Sequence, residues 1–139
     1  MAHHASSKHR PENLPGKIQH FIGGQFVDSA SGATFDVLDP VTNDTYAQAA
    51  AGQKDDIDRA VAAAKDAFDN GPWPRMQPRA RARILNKIAD AVEAQDARLA
   101  ELETFDTGLP ITQARGQALR AAENFRFFAE RSLLVRQGS

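Results

Sequence analysis

The sequence of 139 residues contains no cysteine, which excludes disulfide bonds, thiolate metal ligands and any catalytic thiol within this chain. Its net charge of -1 provides no long-range field that would gather nucleic acid or an anionic membrane. No apolar run approaches the roughly 18 residues of a membrane-spanning helix, and the polar N-terminus lacks the apolar core of a secretory signal. We therefore expect a cytoplasmic protein with no nucleic acid and no membrane among its partners.

Motifs that carry chemistry are also scarce. The sequence has no glycine-rich phosphate loop, no cluster of His, Asp or Glu with metal-ligand spacing, and no Ser/His/Asp set with supporting spacing. His3, His4 and His9 lie in residues 1–17, a polar stretch with two prolines that predicts a flexible N-terminal arm. A solvated tail explains these histidines better than a metal site, because a mobile segment fixes no ligand geometry.

The part of the chain that predicts structure begins with short β-prone segments from residue 18. Gly23 and Gly24 separate two of these segments and predict a hairpin, since tight two-residue turns need positive φ angles. Residues 34–38 alternate as a strand does, and residues 45–50 predict a third strand. These segments predict a short β ribbon, which at this size needs another element to pack on.

An apolar period of about 3.6 residues predicts three helices, which start near residues 54, 78 and 111. The second pattern slips register near Gln95, which allows a bend or a break there. Alanines recur along the apolar side of the third pattern and imply close packing against another element. Composition and pattern alone therefore predict a soluble α+β domain made of a short β ribbon plus three helices.

The segment Leu102–Pro110 separates the second and third helical patterns. Gly108 suits a helix end in the left-handed conformation, and Pro110 suits the start of the next helix because its φ angle is already fixed. Between these signals lies Asp106. From its residue type, this carboxylate either caps a backbone amide, the commoner role, or helps to hold a cation.

A basic cluster lies near the start of the second helix and consists of Arg75, Arg79, Arg81, Arg83 and Lys87. Nucleic-acid binding is one interpretation of such a cluster. The favoured interpretation is a solvated helix face, because no aromatic residues are interleaved for base stacking and the chain is nearly neutral.

Seven segments in a fixed order carry a family resemblance, and Leu102–Pro110 is the most diagnostic of them. The others are residues 21–28, 35–40, 56–68, 71–73, 81–85 and 125–129. Together they resemble the N-terminal region of the aldehyde dehydrogenase superfamily. Within it they are most similar to the semialdehyde dehydrogenases of aromatic catabolism, of the 5-carboxymethyl-2-hydroxymuconate semialdehyde dehydrogenase type. The resemblance implies a truncated N-terminal part of the α/β aldehyde dehydrogenase fold.

The same resemblance implies an oxidoreductase that oxidises an aldehyde to a carboxylic acid with NAD or NADP. In the family a cysteine thiolate attacks the carbonyl, hydride passes to the nicotinamide, and a glutamate activates the hydrolytic water. The complete enzyme would bind an aldehyde substrate and form a homo-oligomer. These groups lie C-terminal to the region matched here, so we expect this chain to be inactive alone, with no catalytic or cofactor-binding residues of its own.

One family site can be carried over. In several relatives an aspartate of the diagnostic segment and a backbone carbonyl just before an Asn/Asp-Pro pair hold a monovalent cation, and the matching residues here are Asp106 and Leu38. The remaining ligands of that site would come from outside this chain.

The predicted organisation is a flexible arm at 1–17, an aldehyde dehydrogenase segment at 18–129 and a divergent tail at 130–139. A premature stop, a frameshift or a gene-model fragment would each produce such a tail. The alternative function is a non-catalytic helical interaction module or a partner of a full-length dehydrogenase. Its motivation is the apolar stripe through residues 84, 88, 92 and 99, which we expect to be exposed.

Overall fold

The computed structural model describes residues 10–134, so the predictions for His3, His4, His9 and residues 135–139 lie outside the described residues. Five strands precede the helices: β1 Lys17–Ile18, β2 His20–Ile22, β3 Gln25–Val27, β4 Thr34–Leu38 and β5 Thr45–Ala50. The helices are α1 Lys54–Asp69, a 3-10 turn Trp73–Arg75, α2 Pro78–Glu93, α3 Asp96–Thr107 and α4 Ile111–Leu134. The chain divides into two compact units, one formed by residues up to 64 with 105–108 and the other by 65–104 with residues from 109 onward.

The first unit contains two small sheets. Strands β2 and β3 form the hairpin predicted at Gly23 and Gly24, whose φ angles are 61° and 82°. Strand β5 lies between β4, which is antiparallel to it, and β1, which is parallel to it. The predicted single ribbon is thus two sheets, because the segment around residues 17–22 pairs first with β5 and then, beyond Gln19, with β3.

The start of α1 is held in the first unit by the buried carboxylate of Asp56, which is only 2% exposed. Asp56 Oδ1 accepts a hydrogen bond from the Ala30 amide at 2.9 Å, and Oδ2 accepts one from the Ser29 hydroxyl at 3.0 Å. The Gln53 amide, one residue before the helix, donates to Oδ2 at 3.1 Å. These donors lower the pKa of Asp56, the Ala30 amide most of all. One carboxylate therefore joins the turn after β3 to the helix N-terminus.

His20 lies beside this carboxylate. Its Nε2 is 4.0 Å from Asp56 Oδ2 and is buried without a hydrogen-bond partner among the described residues. The ring also packs against Gly52, where an added Cβ would lie 3.3 Å from His20 Cε1. A serine, a histidine and an aspartate are thus neighbours, but both Ser29 and His20 face the carboxylate. This is not the order in which a base activates a nucleophile.

The second unit is built on the packing of α2 against α4. The buried residues of both helices are alanines: Ala82, Ala89, Ala114, Ala118, Ala122 and Ala129. Arg126 of α4 spans the pair at the surface, donating from Nη1 to Glu93 Oε1 at 2.6 Å and from Nη2 to Asp90 Oδ1 at 2.9 Å. A second bond from Nη2 reaches Glu93 Oε2 at 2.8 Å. Small side chains let the two helices approach closely, and the guanidinium fork fixes how they align.

The second predicted helix is two helices in the structure. Helix α2 ends at Glu93, and α3 starts at Asp96, whose carboxylate accepts a hydrogen bond from the Ala97 amide at 2.6 Å. The break falls near Gln95, where the apolar register of the sequence slips. The four helices and small sheets match a truncated N-terminal part of the α/β fold implied by the resemblance. Helix α4 continues to Leu134, five residues past the predicted segment boundary at 129.

Large apolar side chains remain exposed. No large side chain among residues 10–134 is completely buried, and the predicted stripe of α1 is open, with Ile57 59%, Val61 60% and Phe68 71% exposed. Ile88 and Leu99 are each 38% exposed. Within the described part of the chain, no helix combines the length and apolar character needed to cross a membrane. The apolar face of α1 is therefore open, whereas Ile84 and Val92 of the stripe through residues 84, 88, 92 and 99 are half-buried.

We expect Ala89→Leu to destabilise the second unit by about 1–3 kcal/mol, because Ala89 is completely buried and a larger side chain must push α2 and α4 apart. Urea unfolding followed by circular dichroism measures the loss. Ala91→Leu is the matched control, since Ala91 lies on the exposed side of the same helix. Equal stability of the two variants would contradict the close packing of the alanine faces.

We expect Asp56→Asn to lower the melting temperature by several degrees at neutral pH, whereas Asp58→Asn, at an exposed position of the same helix, has little effect. A depressed carboxylate pKa adds stability above the usual aspartate range and loses it as the pH falls through the folded-state value. The difference between wild type and Asp56→Asn should therefore close in acid. Thermal melts across that pH range test this, and a difference that persists in strong acid would contradict it.

Candidate cation site

The diagnostic segment 102–110 lies where α3 ends. Gly108 follows the helix with a φ angle of 76°, in the left-handed conformation that its sequence predicts. A Cβ at Gly108 would lie 3.6 Å from Cγ of Pro40, so the end of α3 is close to the loop after β4. Pro110 accepts hydrogen bonds from the amides of Gln113 and Ala114 and thereby starts α4. The predicted helix stop and helix start are both confirmed.

Tyr46 reaches this helix end from a β-bulge in the sheet of the first unit. Leu38 pairs with Thr45 and Val37 pairs with Ala47, which leaves Tyr46 as an extra residue in β5 without a partner in β4. A bulge bends the strand and re-aims its side chains. The Tyr46 ring meets Phe105 of α3 edge-on, with 4.9 Å between centroids, and its hydroxyl donates a hydrogen bond to Asp106 Oδ1 at 2.5 Å.

The electrostatics of the corner keep Tyr46 protonated. Partial burial, the hydrogen bond to Asp106 and the negative charges of Asp106 and Asp39 raise the pKa of Tyr46 to about 12. Asp39 is itself 6% exposed, and its carboxylate accepts hydrogen bonds from the amides of Val41 at 2.8 Å and Thr42 at 3.3 Å. Tyr46 is therefore a neutral hydrogen-bond donor across the physiological pH range.

The two residues predicted for the cation site both belong to the first unit. Leu38 is the last residue of β4, and Asp106 lies in the last turn of α3 with an exposed side chain. Leu38 pairs across the sheet with Thr45, the residue before the bulged Tyr46. Tyr46 in turn contacts Asp106 directly. A carboxylate and a main-chain carbonyl are hard oxygen donors, which suit alkali or alkaline-earth cations rather than soft metals. The donor types thus fit a monovalent cation, and the site itself stays a prediction.

Other metal-site chemistry is absent from the described residues. No group of three or more His, Cys, Asp or Glu side chains among residues 10–134 is arranged to hold a metal ion.

Sequence reasoning missed Tyr46. It placed this residue in a predicted strand, and no local signal marks the bulge, because a bulge depends on how β5 pairs with β4. The only hint is that the chain contains a single tyrosine, situated between the Asp39-Pro40 pair and the first helix.

Two arginines of the basic cluster at the start of α2 have local partners. Arg75 donates to the carbonyls of Asp69 at 2.7 Å and Gly71 at 2.9 Å, which follow the end of α1. Arg81 donates to the carbonyl of Met76 at 2.9 Å. These two arginines therefore satisfy main-chain carbonyls near helix ends, as cations near a helix C-terminus do. The favoured interpretation of the cluster as an ordinary helix face agrees with these contacts.

The sequence profile described as the Aldehyde dehydrogenase family matches residues 26–137, most of the chain. The chain belongs to the aldehyde dehydrogenase family. It is 49% identical over 110 residues to aldehyde dehydrogenase 1 of Tanacetum cinerariifolium, and this similarity covers 78% of the chain and 22% of that relative. Membership confirms the resemblance drawn from the seven ordered segments.

Solved aldehyde dehydrogenase structures share the fold of this region. An NAD-dependent aldehyde dehydrogenase from Sinorhizobium meliloti superposes with a TM-score of 0.82 at 35% identity, covering 88% of this chain and 25% of that enzyme. The HpcC protein of Thermus thermophilus superposes with a TM-score of 0.77 at 44% identity, covering 84% and 22% respectively. This aldehyde dehydrogenase chain thus spans about a quarter or less of the relatives it matches, and its fold is a truncated part of theirs.

We expect the single tyrosine to titrate near pH 12 in the wild type and at a lower pH in Asp106→Asn, because the variant removes a charged acceptor while the burial that raises the pKa most remains. Tyrosinate absorbance measures both values. A folded-state pKa raised above the unfolded value adds stability below pH 10 and loses it as the pH rises towards 12. Asp36→Asn, which alters a carboxylate elsewhere in the same sheet, is the control. Equal tyrosine titration in all three proteins would contradict the contact.

Proposed function

We propose that this chain is the N-terminal segment of an NAD(P)-dependent aldehyde dehydrogenase that oxidises an aldehyde to a carboxylic acid. The family match across residues 26–137 is the observation that carries the proposal. The similarity to an enzyme described as NAD-dependent favours NAD over NADP. The choice of a semialdehyde from aromatic catabolism as substrate rests on the similarity of the ordered sequence segments to that branch of the superfamily.

In this proposal the chain supplies scaffold and no catalytic group. The family reaction needs a thiolate to attack the carbonyl carbon, and no cysteine is present among the 139 residues. Ser29 and His20 both face the Asp56 carboxylate, and Tyr46 donates to Asp106, so these contacts do not form the ordered Ser-His-Asp arrangement of a hydrolase. The chain on its own is therefore expected neither to bind NAD(P) nor to turn over an aldehyde.

The site that the chain does contribute is a monovalent-cation site at Asp106 and the Leu38 carbonyl. A cation there would join the end of β4 to the last turn of α3, and the negative end of the helix dipole would add to its attraction. Its role in this chain would be to hold one corner of the scaffold. A cytoplasmic location and a homo-oligomeric complete enzyme remain predictions that follow from the family.

The alternative proposal is a non-catalytic interaction module that acts as a partner of a full-length dehydrogenase. The observation that favours it is the open apolar face of α1, where Ile57, Val61 and Phe68 are all more than half exposed. In a complete enzyme such a face would be covered by other parts of the fold. On a free chain it is available to a full-length subunit.

An activity assay tests the leading proposal. We expect the purified chain to produce no NAD(P)H from semialdehydes with either nucleotide, and a full-length dehydrogenase assayed in parallel supplies the positive control. Turnover that copurifies with the 139-residue chain would overturn the scaffold role. Mixing the chain with full-length subunits separates the two proposals: a complex of fixed stoichiometry on size-exclusion chromatography supports the partner role, and independent elution removes it.

A further inference from the structure

The hydrogen bond between Tyr46 and Asp106 joins two residues that are 60 positions apart in the sequence. Both partners are fixed by more than this bond. Tyr46 leaves the sheet at a bulge, and its ring rests edge-on against Phe105, the residue just before Asp106. The tyrosine hydroxyl therefore arrives at the aspartate from a defined direction.

An aspartate in the last turn of a helix needs a hydrogen-bond donor to hold its carboxylate in one rotamer. Its side chain is exposed, and the nearby main-chain carbonyls at the helix C-terminus repel a carboxylate. Without an anchor the carboxylate would sample several rotamers and present no fixed oxygen to a ligand. A neutral hydroxyl that donates to Oδ1 selects one rotamer while leaving the negative charge on the aspartate.

We infer that Tyr46 is a positioning residue for the cation site at Asp106: its hydroxyl holds Oδ1 and so fixes the orientation of the carboxylate that would meet the cation. This inference rests on the cation site proposed above. Tyr46 acts through Asp106 and needs no direct bond to the ion. Tyr46 follows Thr45, which is the cross-strand partner of Leu38. The residue that orients the carboxylate therefore lies next to the strand pair that offers the carbonyl.

The test measures how cations stabilise the full chain. Melting temperatures are recorded over a series of KCl and NaCl concentrations, with tetramethylammonium chloride keeping the ionic strength constant, and the rise gives an apparent Kd. The variants are Tyr46→Phe, Asp106→Asn and the control Asp36→Asn. Asp36 accepts a hydrogen bond from Thr45 at 3.2 Å, on the same strand pair but through a different carboxylate.

We expect Tyr46→Phe to weaken the apparent Kd about five- to tenfold, in line with the loss of one hydrogen bond to a charged group. Asp106→Asn should abolish the cation-dependent rise, and Asp36→Asn should leave the Kd unchanged. A Tyr46 that merely supported the fold would lower the melting temperature equally in all three salts and leave the Kd as it was. That readout separates positioning from general stabilisation.

Two outcomes overturn the inference in distinguishable ways. If Asp106→Asn abolishes the effect while Tyr46→Phe keeps the wild-type Kd or tightens it, the cation site stands and the role of Tyr46 is wrong. If the wild type shows no cation-dependent rise, the cation site is wrong and Tyr46 has nothing to position. Should Tyr46→Phe fail to fold, fluorotyrosine in place of the single tyrosine changes the hydrogen-bond strength at constant shape, and an unchanged Kd there also overturns the inference.

Discussion

The dependence of this structure on alanine is the constraint from which its other features follow. Every buried apolar residue in the described range 10–134 is an alanine, in the sheet, in α2, in α3 and in α4. An alanine buries little area, so each contributes little hydrophobic free energy, but it lets backbones approach closely. The larger apolar side chains are therefore half-buried or exposed, and the elements are aligned mainly by close approach and by polar contacts at their ends.

Three polar contacts provide that alignment, and each is placed at the end of an element. Asp56 receives main-chain and hydroxyl donors where α1 begins. Tyr46 meets Asp106 where α3 ends. Arg126 links α4 to Asp90 and Glu93 in the last turn of α2. Because directional bonds fix angles that non-directional packing leaves free, these contacts define geometry where the small core cannot.

The sequence predicted the features that depend on local chemistry. The Gly23-Gly24 hairpin, the start of α1 and the helix stop at Gly108 all follow from residues within one turn of the feature, and all three are confirmed. The family resemblance, which also rests on short sequence segments, is confirmed by the profile match. Local backbone preferences act over a few residues, so a single sequence carries enough information to reveal them.

Features that depend on pairing between distant segments could not be predicted from the sequence in the same way. The parallel contact of β1 with β5 joins two-residue stretches about 30 positions apart, too short for any periodic signal. The division into α2 and α3 appeared only as a slip of register, because such a slip does not distinguish one bent helix from two separate ones. Tyr46 was missed because only the pairing of β5 with β4 reveals the bulge.

The bulge at Tyr46 also separates two structural roles within β5, namely packing of the sheet and contact with the end of α3. Ala47 and Ala49 lie beyond it and keep their register with β4, so the buried face of the sheet is set on one side of the extra residue. The side chain that reaches α3 is set at the extra residue itself. Substitution of that residue can therefore alter the helix-end corner without shifting the alanines out of the interior. In β5 the residues that set the buried face and the residue that contacts the end of α3 are therefore separate.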